Sequence, residues 1–583
     1  MQLVKNFKFF VVLLMAYEFK FSVLMPIYNV EKYLAESIDS LINQSIGFEE
    51  NIELVIVDDG SPDNSKEIAL KYQEKYPNNI KVFSKSNGGQ ASAFNFGLKH
   101  LNGKYVSFLD SDDCLSSNAL FEVYDFFEKH YNEIDLVSIP LMFFERRTGE
   151  HNLNYKFVST RVIDLVKEPY YPQLSIASSF VKSEVLKNFE FNTELIAGYD
   201  ALMVNKILLM KKKIGVISSC AYHYRKRSDS TSTIDNYKQN EKFFTHSLKN
   251  LDINLIEYSK EKLGYVPLFI QYVVAYNVQW FHGISDFPES FKKDEINEFW
   301  ETFYEILNHV DDSVIKDSRI IRKRIVRYFL MYLKNHQDFH IDIVENNSKI
   351  ILKTADFTIN NLHNHRFYID NSELNQGILN LLGTFTSLCD NSVLSLEAIK
   401  TTSDGTTKVF KEECKDFSTN SKVKRILGIN WQFKHYFDLK IPIEKDEESK
   451  IDLYLIYDEN NKKIKINNNI VFRNSPSLSG TINYFMNDSQ IAFFKDNSFY
   501  ACPFSQEKAN ELREELISHY QKILADLEKL KKDNKDLRKE NKKLKKDLKK
   551  SKNKNKEILN SLSWKITKPL RMPKQFIKKM KEQ

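Results

Sequence analysis

Residues Tyr105 to Asp113 read YVSFLDSDD, and the fold of the amino-terminal part follows from that run. Tyr105, Val106, Phe108 and Leu109 are β-formers of a short buried strand, and Asp110, Asp112 and Asp113 end it, because acidic residues are poor in sheets. A buried strand thus delivers three carboxylates to one point. At that spacing they raise one another's pKa unless a cation lies among them, and an all-oxygen donor set suits a hard ion such as Mg²⁺ or Mn²⁺. The same residues also fit an acidic loop at a helix start, with Ser116 and Ser117 as caps.

Outward from this run, apolar strands alternate with amphipathic helices. Strands are expected at Phe21 to Ile27, Ile52 to Val57 and Ile80 to Ser84, with helices at Val30 to Gln44, Pro62 to Tyr76, Gln90 to Leu101 and Asn118 to His130. Helices of this length between strands imply right-handed crossovers and a mostly parallel, Rossmann-like sheet. Ligands of such sheets bind at the carboxyl ends of the strands. Those ends carry Pro26-Ile27-Tyr28-Asn29, Asp58-Asp59-Gly60-Ser61, Asn87-Gly88-Gly89 and Asp110-Ser111-Asp112-Asp113. Tyr28 is able to stack on a base and Asp58 or Asp59 to accept from a uracil-like N–H, although each motif is also ordinary turn chemistry. Neither GxGxxG nor GxxxxGK(S/T) occurs, which excludes the usual dinucleotide and P-loop sites.

The chain has 583 residues, enough for three or four domains, with 42% hydrophobic and 28% charged residues. Five scattered cysteines without a CxxC pair support neither a disulfide framework nor a zinc site, as expected in a reducing cytoplasm. Residues 508 to 583 carry a local +14, so the net +6 of the chain leaves −8 on the first 507 residues. Phe9 to Met15 is too short to span a bilayer and runs on towards the first strand without a cleavage site, so no export signal is expected. Translation from Met15 would leave a compact opening.

Taken together, VLMPIYN (23 to 29), Leu41-Ile42-Asn43-Gln44-Ser45, ELVIVDDGSPDNS (53 to 65), SNGGQASAFNFGL (86 to 98) and YVSFLDSDD resemble glycosyltransferase family 2, with the GT-A fold. The resemblance implies that Pro26, Tyr28, Asp58 or Asp59, Lys85, Asn87, Gly88 and Asn95 surround a nucleotide-sugar. It makes Asp110, Ser111 and Asp112 the family's Asp-x-Asp element, with Mn²⁺ or Mg²⁺ on Asp112 and His223. The Arg that often precedes the family's Asn is Phe94 here, which leaves Lys85 as the nearby cation. Gly-Glu-Asp of the family corresponds to Gly198-Tyr199-Asp200, so Asp200 becomes the general base. Read without the family, Asp200 is as well a cap for a helix over Ala201 to Met210. Tyr222-His223-Tyr224-Arg225-Lys226-Arg227, followed by Ser230-Thr231, resembles the closing Tyr-x-Tyr-Arg segment, and alternation sends His223, Arg225 and Arg227 to one side of a strand. Asp113, Tyr199, Arg225 and Arg227 are then the acceptor or diphosphate contacts.

Beyond this GT-A domain (18–235), residues 236–335 read as helical and aromatic-rich, and 336–505 as a β-sandwich-like domain of short strands at Val393 to Ile399, Val423 to Ile429, Tyr436 to Ile443, Ile451 to Ile456 and Ile464 to Val471. Residues 506–560 place Leu516, Ile523, Leu530, Leu537 and Leu544 at one heptad seam and Tyr520, Leu527, Asn534, Asn541 and Leu548 at the other. That pattern predicts a coiled coil, its buried amides favouring a parallel homodimer. The tail 561–583 sets Leu562, Trp564, Ile566, Leu570, Met572, Phe576 and Ile577 among basic residues, as a membrane-surface element does.

The expectation is a cytoplasmic, inverting, metal-dependent enzyme on the inner face of the cell membrane. It moves a sugar from a nucleotide-sugar, most simply a UDP-sugar, to a glycan or lipid-linked glycan of capsule, lipopolysaccharide or teichoic type. The alternatives are a nucleotidyl- or glycerophosphate-transferring enzyme and a coiled-coil scaffold with a degenerate domain. Nucleic acid is not an expected partner, because a basic-region zipper carries its basic helix before the leucines.

Overall fold

The computed structural model describes residues 17–228, 241–335, 342–346, 349–354, 357–361, 366–387, 394–413, 415–416, 424–457, 462–465, 470–473, 483–496, 498–518, 521–522, 524–536, 539 and 550. They fall into two compact units, one within Met1–Leu362 and Lys424–Trp431, the other within His363–Val423 and Gln432–Gln583.

The first unit opens with β1 (Phe19–Ile27), α1 (Leu34–Ile42), β2 (Ile52–Asp58), α2 (Ser65–Lys75), β3 (Ile80–Ser84), α3 (Gln90–Gly97) and β4 (Gly103–Phe108). These strands are parallel neighbours in the order β3-β2-β1-β4. Their register aligns Ile27 with Asp58 and Asp58 with Ser84, so the polar exits lie side by side. Every residue of β2 is buried, as expected of a strand covered on both faces. On one face Phe21, Val23, Met25, Leu54, Ile56 and Tyr105 pack against Leu34, Ile38 and Leu41 of α1 and Leu120, Val123 and Phe127 of α4 (Ala119–His130). Each such side chain contributes about 1.5–3 kcal/mol. On the other face Gly97 of α3 brings the helix so near β1 that a Cβ there would lie 2.2 Å from Leu24 Cδ1.

Beyond β4 the sheet is mixed rather than parallel. The short strand Ser179–Lys182 inserts antiparallel between β4 and Leu136–Ser138, followed by Lys213–Val216 and the antiparallel edge Arg161–Asp164. A second sheet joins Cys114–Leu115, Tyr222–Lys226, Leu141–Glu145 and Gly149–Glu150. It lies directly after the acidic run, which fixes where the three carboxylates face. The helix Tyr199–Lys211 starts after Gly198, whose φ of +88 lets the chain turn tightly.

Helices Glu241–Ser247, Asn254–Leu263, Leu268–Val278, Lys293–Asn308, Asp312–Lys316 and Arg324–Lys334 follow within the same unit, the first two joined by a π-helical turn over Leu248–Ile253. Part of the aromatic stripe there is core, Phe299 and Phe303 being buried beside Phe281, whereas Trp280 is exposed. Among the described residues the later strands run in three sheets: Asp342–Asn346, Lys349–Thr354 and Phe357–Asn361; one built around Phe367–Asn375, Ile378–Ser387 and Ile429–Pro442; and one around Leu394–Thr402, Ser449–Tyr457 and Ser498–Pro503. The run Val423 to Ile429 is not one strand, because Leu427 and Gly428 turn it with φ of +50 and +80. Helical backbone covers 506–518, 521–522 and 524–536. Residues 1–16, Ser230-Thr231 and the tail 561–583 lie outside the described residues. Among the described residues no helix is long and apolar enough to cross a membrane.

Candidate functional site

At the exits of β2 and β3, the two adjacent aspartates shape the loops. Asp58 accepts from Ser61 N at 2.9 Å. Asp59 accepts from Gly88 N at 3.0 Å and Gly89 N at 2.8 Å, and pairs with Lys85 Nζ at 2.6 Å. Gly89 has φ of +84, so the loop turns into α3 where a side chain would be strained. Asn95 faces elsewhere: its Nδ2 donates to Phe191 O and its Oδ1 accepts from Phe191 N, both at 2.8 Å. Phe94 is buried with Phe108 at 5.2 Å and Phe191 at 5.0 Å. An aromatic cluster therefore replaces the guanidinium that the resemblance led one to look for.

The acidic run is divided by partners. Asp113 is buried, accepting from Tyr222 Oη at 2.8 Å and from Arg225 N at 2.6 Å, while Tyr222 Oη also accepts from Asp110 N at 3.2 Å. Burial first, then Asp112 and Asp110, hold the Asp113 carboxyl well above the usual carboxylate range. Asp110 accepts from Gln90 Nε2 at 2.6 Å, and Gln90 Oε1 accepts from Tyr199 Oη at 2.8 Å. Burial, then the Asp112 charge, push the Asp110 carboxyl up to about 7. Asp112 pairs with Arg227 Nε at 2.7 Å. Arg225 donates from Nε to the Asp112 carbonyl at 2.7 Å and pairs with Glu145 at 2.9 Å and Glu36 at 2.5 Å. Its plane lies over Phe144 at 4.3 Å and Tyr33 at 5.0 Å.

These exits open into a cavity of about 1370 Å³. Of the expected residues, Pro26, Tyr28, Asp59, Asn87, Gly88, Asp110, Ser111, Asp112, Tyr199, Asp200 and Arg227 line it. Asp58, Lys85, Asn95, Asp113, His223 and Arg225 do not. Asp58, Lys85 and Asp113 are committed to loop contacts, Asn95 to Phe191, and Arg225 to the back of the Asp-x-Asp turn. The expectation that Arg225 meets a diphosphate is corrected accordingly, since its guanidinium is shared among three internal acceptors. His223 lies on the same strand face as Arg225, its ring 6.4 Å from Phe144. Asp200 sits in the first turn of its helix, not at the cap, which is Gly198. Its Oδ1 accepts from Ala201 N at 2.9 Å, and burial pushes its carboxyl up to about 6.

Among the described residues no group of three or more His, Cys, Asp or Glu forms a metal cage. Asp112 on the cavity wall still fits an ion of the Mg²⁺ class, which uses one or two carboxylates and takes its remaining ligands from substrate phosphates and water. His223 does not fit that role, because it does not line the cavity. Sequence reasoning missed Gln90, Tyr222, Glu36 and Glu145. Gln90 had a weak signal as the first residue after the Gly pair, whereas Glu36 and Arg225 are 189 residues apart and had none.

The four-stranded parallel core, the crossing antiparallel strand and the acidic turn define a GT-A type fold. Residues 22–188 match the profile described as "Glycosyl transferase family 2". The chain is similar to Minor teichoic acid biosynthesis protein GgaB of Bacillus subtilis (strain 168), 38% identical over 449 residues, which are 75% of this chain and 47% of that protein. It is also similar to Minor teichoic acid biosynthesis protein GgaA of the same organism, 35% identical over 307 residues, 51% of this chain and 68% of GgaA. It thus spans about half the length of GgaB. A crystal structure of S. aureus TarS 1-349 in complex with UDP-GlcNAc aligns at 23% identity and a TM-score of 0.44, covering 57% of this chain and 96% of that one. The chain belongs to glycosyl transferase family 2.

Proposed function

We propose that this chain transfers a sugar from a UDP-sugar to a hydroxyl of a growing teichoic-type surface glycan, with inversion at the anomeric carbon. The observation that carries the reading is one cavity walled by Pro26, Tyr28 and Asn87 at the strand exits, by Asp110 and Asp112, and by Asp200 on another element. The similarity to GgaB and GgaA, both minor teichoic acid biosynthesis proteins, supports the teichoic-type acceptor.

In this reading Tyr28 stacks on the base and the Asn87-Gly88 loop lets the backbone approach the nucleotide. Asp200 takes the proton of the acceptor hydroxyl while that oxygen bonds to the anomeric carbon and the bond to the nucleotide diphosphate breaks. A carboxyl near pH 6 is ionised at neutral pH yet basic enough for the task. Arg227, which pairs with Asp112, meets charge developing on the leaving diphosphate in this reading. A divalent ion, Mn²⁺ or Mg²⁺, held by Asp112 would supply further neutralisation of that charge.

The carboxyl-terminal part is read as an assembly and attachment device. Leu527 and Leu530, one from each heptad seam, are exposed on the helical segment 524–536, where a second copy covers them in a coiled-coil homodimer. The basic tail then holds the dimer at the cytoplasmic face of the membrane, near lipid-linked acceptors.

The test is UDP release from a panel of UDP-sugars with Mn²⁺ or Mg²⁺, comparing the wild type with Asp112→Asn and Asp200→Asn. Sugar-dependent release lost in both variants supports the reading. No release and no UDP binding by the wild type would return the chain to the scaffold alternative.

A further inference from the structure

One wall of the cavity is built from the segment 141–157, which the donor contacts leave unused. Leu141–Glu145 pairs in parallel with Tyr222–Lys226, setting Phe143 beside Tyr224. The chain then turns back, and the His151 ring comes to 5.8 Å from Phe143. Arg147 lies over the same Phe143 ring at 4.3 Å. Arg322 reaches in from the helical region and donates to Asn152 Oδ1 at 3.1 Å and Asn152 O at 3.0 Å. Lys156 is 4% exposed, and its ammonium donates to Pro172 O at 2.6 Å and Gln173 Oε1 at 2.5 Å. Both of those acceptors are neutral, so they satisfy its hydrogens without balancing its charge.

The electrostatics of this wall are one-sided. Burial, then Lys156, Arg147, Arg322 and Lys226, pull the His151 pKa down to about 4, so the ring is neutral among these basic groups. Burial alone draws Lys156 down to about 7. Cations gathered on one wall repel one another, and an anion drawn among them relieves that repulsion. The fold also ties this wall to Asp200. Gln173, which holds Lys156, accepts through its carbonyl from Asn205 Nδ2 at 2.8 Å, and Asn205 lies on the Asp200 helix. Ile176 of the same loop donates its N–H to Asp200. The basic wall is therefore fixed relative to the group that receives the acceptor proton.

We propose that Arg147, Lys156 and Lys226, around His151 and backed by Arg322, form an acceptor subsite that binds a phosphodiester of a polyol-phosphate chain while a neighbouring hydroxyl reaches Asp200. This rests on the glycosyltransferase reading. A forked guanidinium and two ammonium groups suit a phosphodiester monoanion, whereas a neutral glycan gains nothing from them. The subsite selects polymers carrying one phosphate per repeat over uncharged glycans, and it sets the distance between the phosphate and the modified hydroxyl.

The test uses the full chain and titrates two probes separately, a synthetic oligo(glycerol phosphate) and UDP with Mn²⁺, with maltohexaose as the uncharged control. Arg147→Ala, which changes an exposed side chain, is expected to weaken oligo(glycerol phosphate) binding roughly tenfold, the loss of one charge-assisted contact, and to leave UDP affinity unchanged. Lys156→Met, checked for folding by its thermal midpoint, is expected to do the same. Equal loss of UDP affinity would assign the cluster to the donor diphosphate and overturn the proposal. Unchanged oligo(glycerol phosphate) binding in both variants, or wild-type binding no tighter than to maltohexaose, would overturn it as well. UDP binding absent while the oligomer still binds through Arg147 would sink the donor reading and leave the subsite standing.

Discussion

Asp200 and Arg225 show how much a residue's role depends on what surrounds its charged atoms. The Asp200 carboxyl is raised to about 6 by burial, so kcat/KM is expected to rise with pH through about 6 and level off above it; a pH profile flat between 5 and 8 would remove Asp200 as the base. The stability term has the opposite sense. A raised folded pKa favours folding while the proton is bound, and that contribution is lost as pH rises through about 6. Asp200→Asn is therefore expected to cost roughly 10²- to 10⁴-fold in turnover while the thermal midpoint at pH 8 stays at or above that of the wild type. Arg225 acts from behind the site, holding the Asp112 carbonyl, Glu36 and Glu145 together. Arg225→Ala is expected to lower stability by about 1–3 kcal/mol and to weaken UDP binding, because the Asp-x-Asp turn loses its clamp. Arg225→Lys is expected to recover little of either, since one ammonium cannot span three acceptors in a plane. Calorimetry and UDP titration of both variants check this.

At the scale of elements, the parallel core depends on close backbone approach. Gly103 opens β4 against β1, and a Cβ there would lie 2.3 Å from Ser22 N and 2.5 Å from Phe21 C. Gly103→Ala is thus expected to cost about 3 kcal/mol or more, visible as a lower urea midpoint, because backbone cannot yield as a side-chain tip does. The same corner is knitted by Ser22 and the buried Glu53, which accepts from Asn102 N at 2.8 Å and pairs with Lys81 at 2.6 Å. Two further elements communicate across the cavity through Tyr199, Gln90 and Asp110. Tyr199 stands where the family often has Glu, and its hydroxyl orients Gln90 towards Asp110. Tyr199→Phe removes that link without emptying space, and a smaller loss of UDP affinity than in Gln90→Ala is expected by titration.

For the whole molecule, the charge division of the sequence is what the proposed assembly and attachment roles of the carboxyl-terminal part rest on. The first 507 residues are net negative and the rest strongly positive. Deleting residues 506–583 is expected to convert a dimer into a monomer in light scattering. It is also expected to abolish flotation with anionic liposomes while UDP release in solution persists, each basic residue near such a surface being worth about 1 kcal/mol. A truncated chain that still floats would place the membrane contact elsewhere.

The parallel core and its polar end were legible in the residues alone, because buried strands with polar exits are a local signal that survives any later packing. Motifs of a few residues each also singled out Asp110, Asp112 and Asp200, which line the cavity. Which neighbours of those motifs reach the cavity depended on tertiary packing. Asp58, Asn95, Asp113 and Arg225 have the side chains of ligand-binding residues, but their partners come from distant segments: Asn95 from Phe191, Asp113 from Tyr222, Arg225 from Glu36. The antiparallel strand Ser179–Lys182 has only four residues and no periodicity to read. The basic wall around His151 had no signal either, since its cations are scattered from Arg147 to Arg322 and only folding brings their charges to one place.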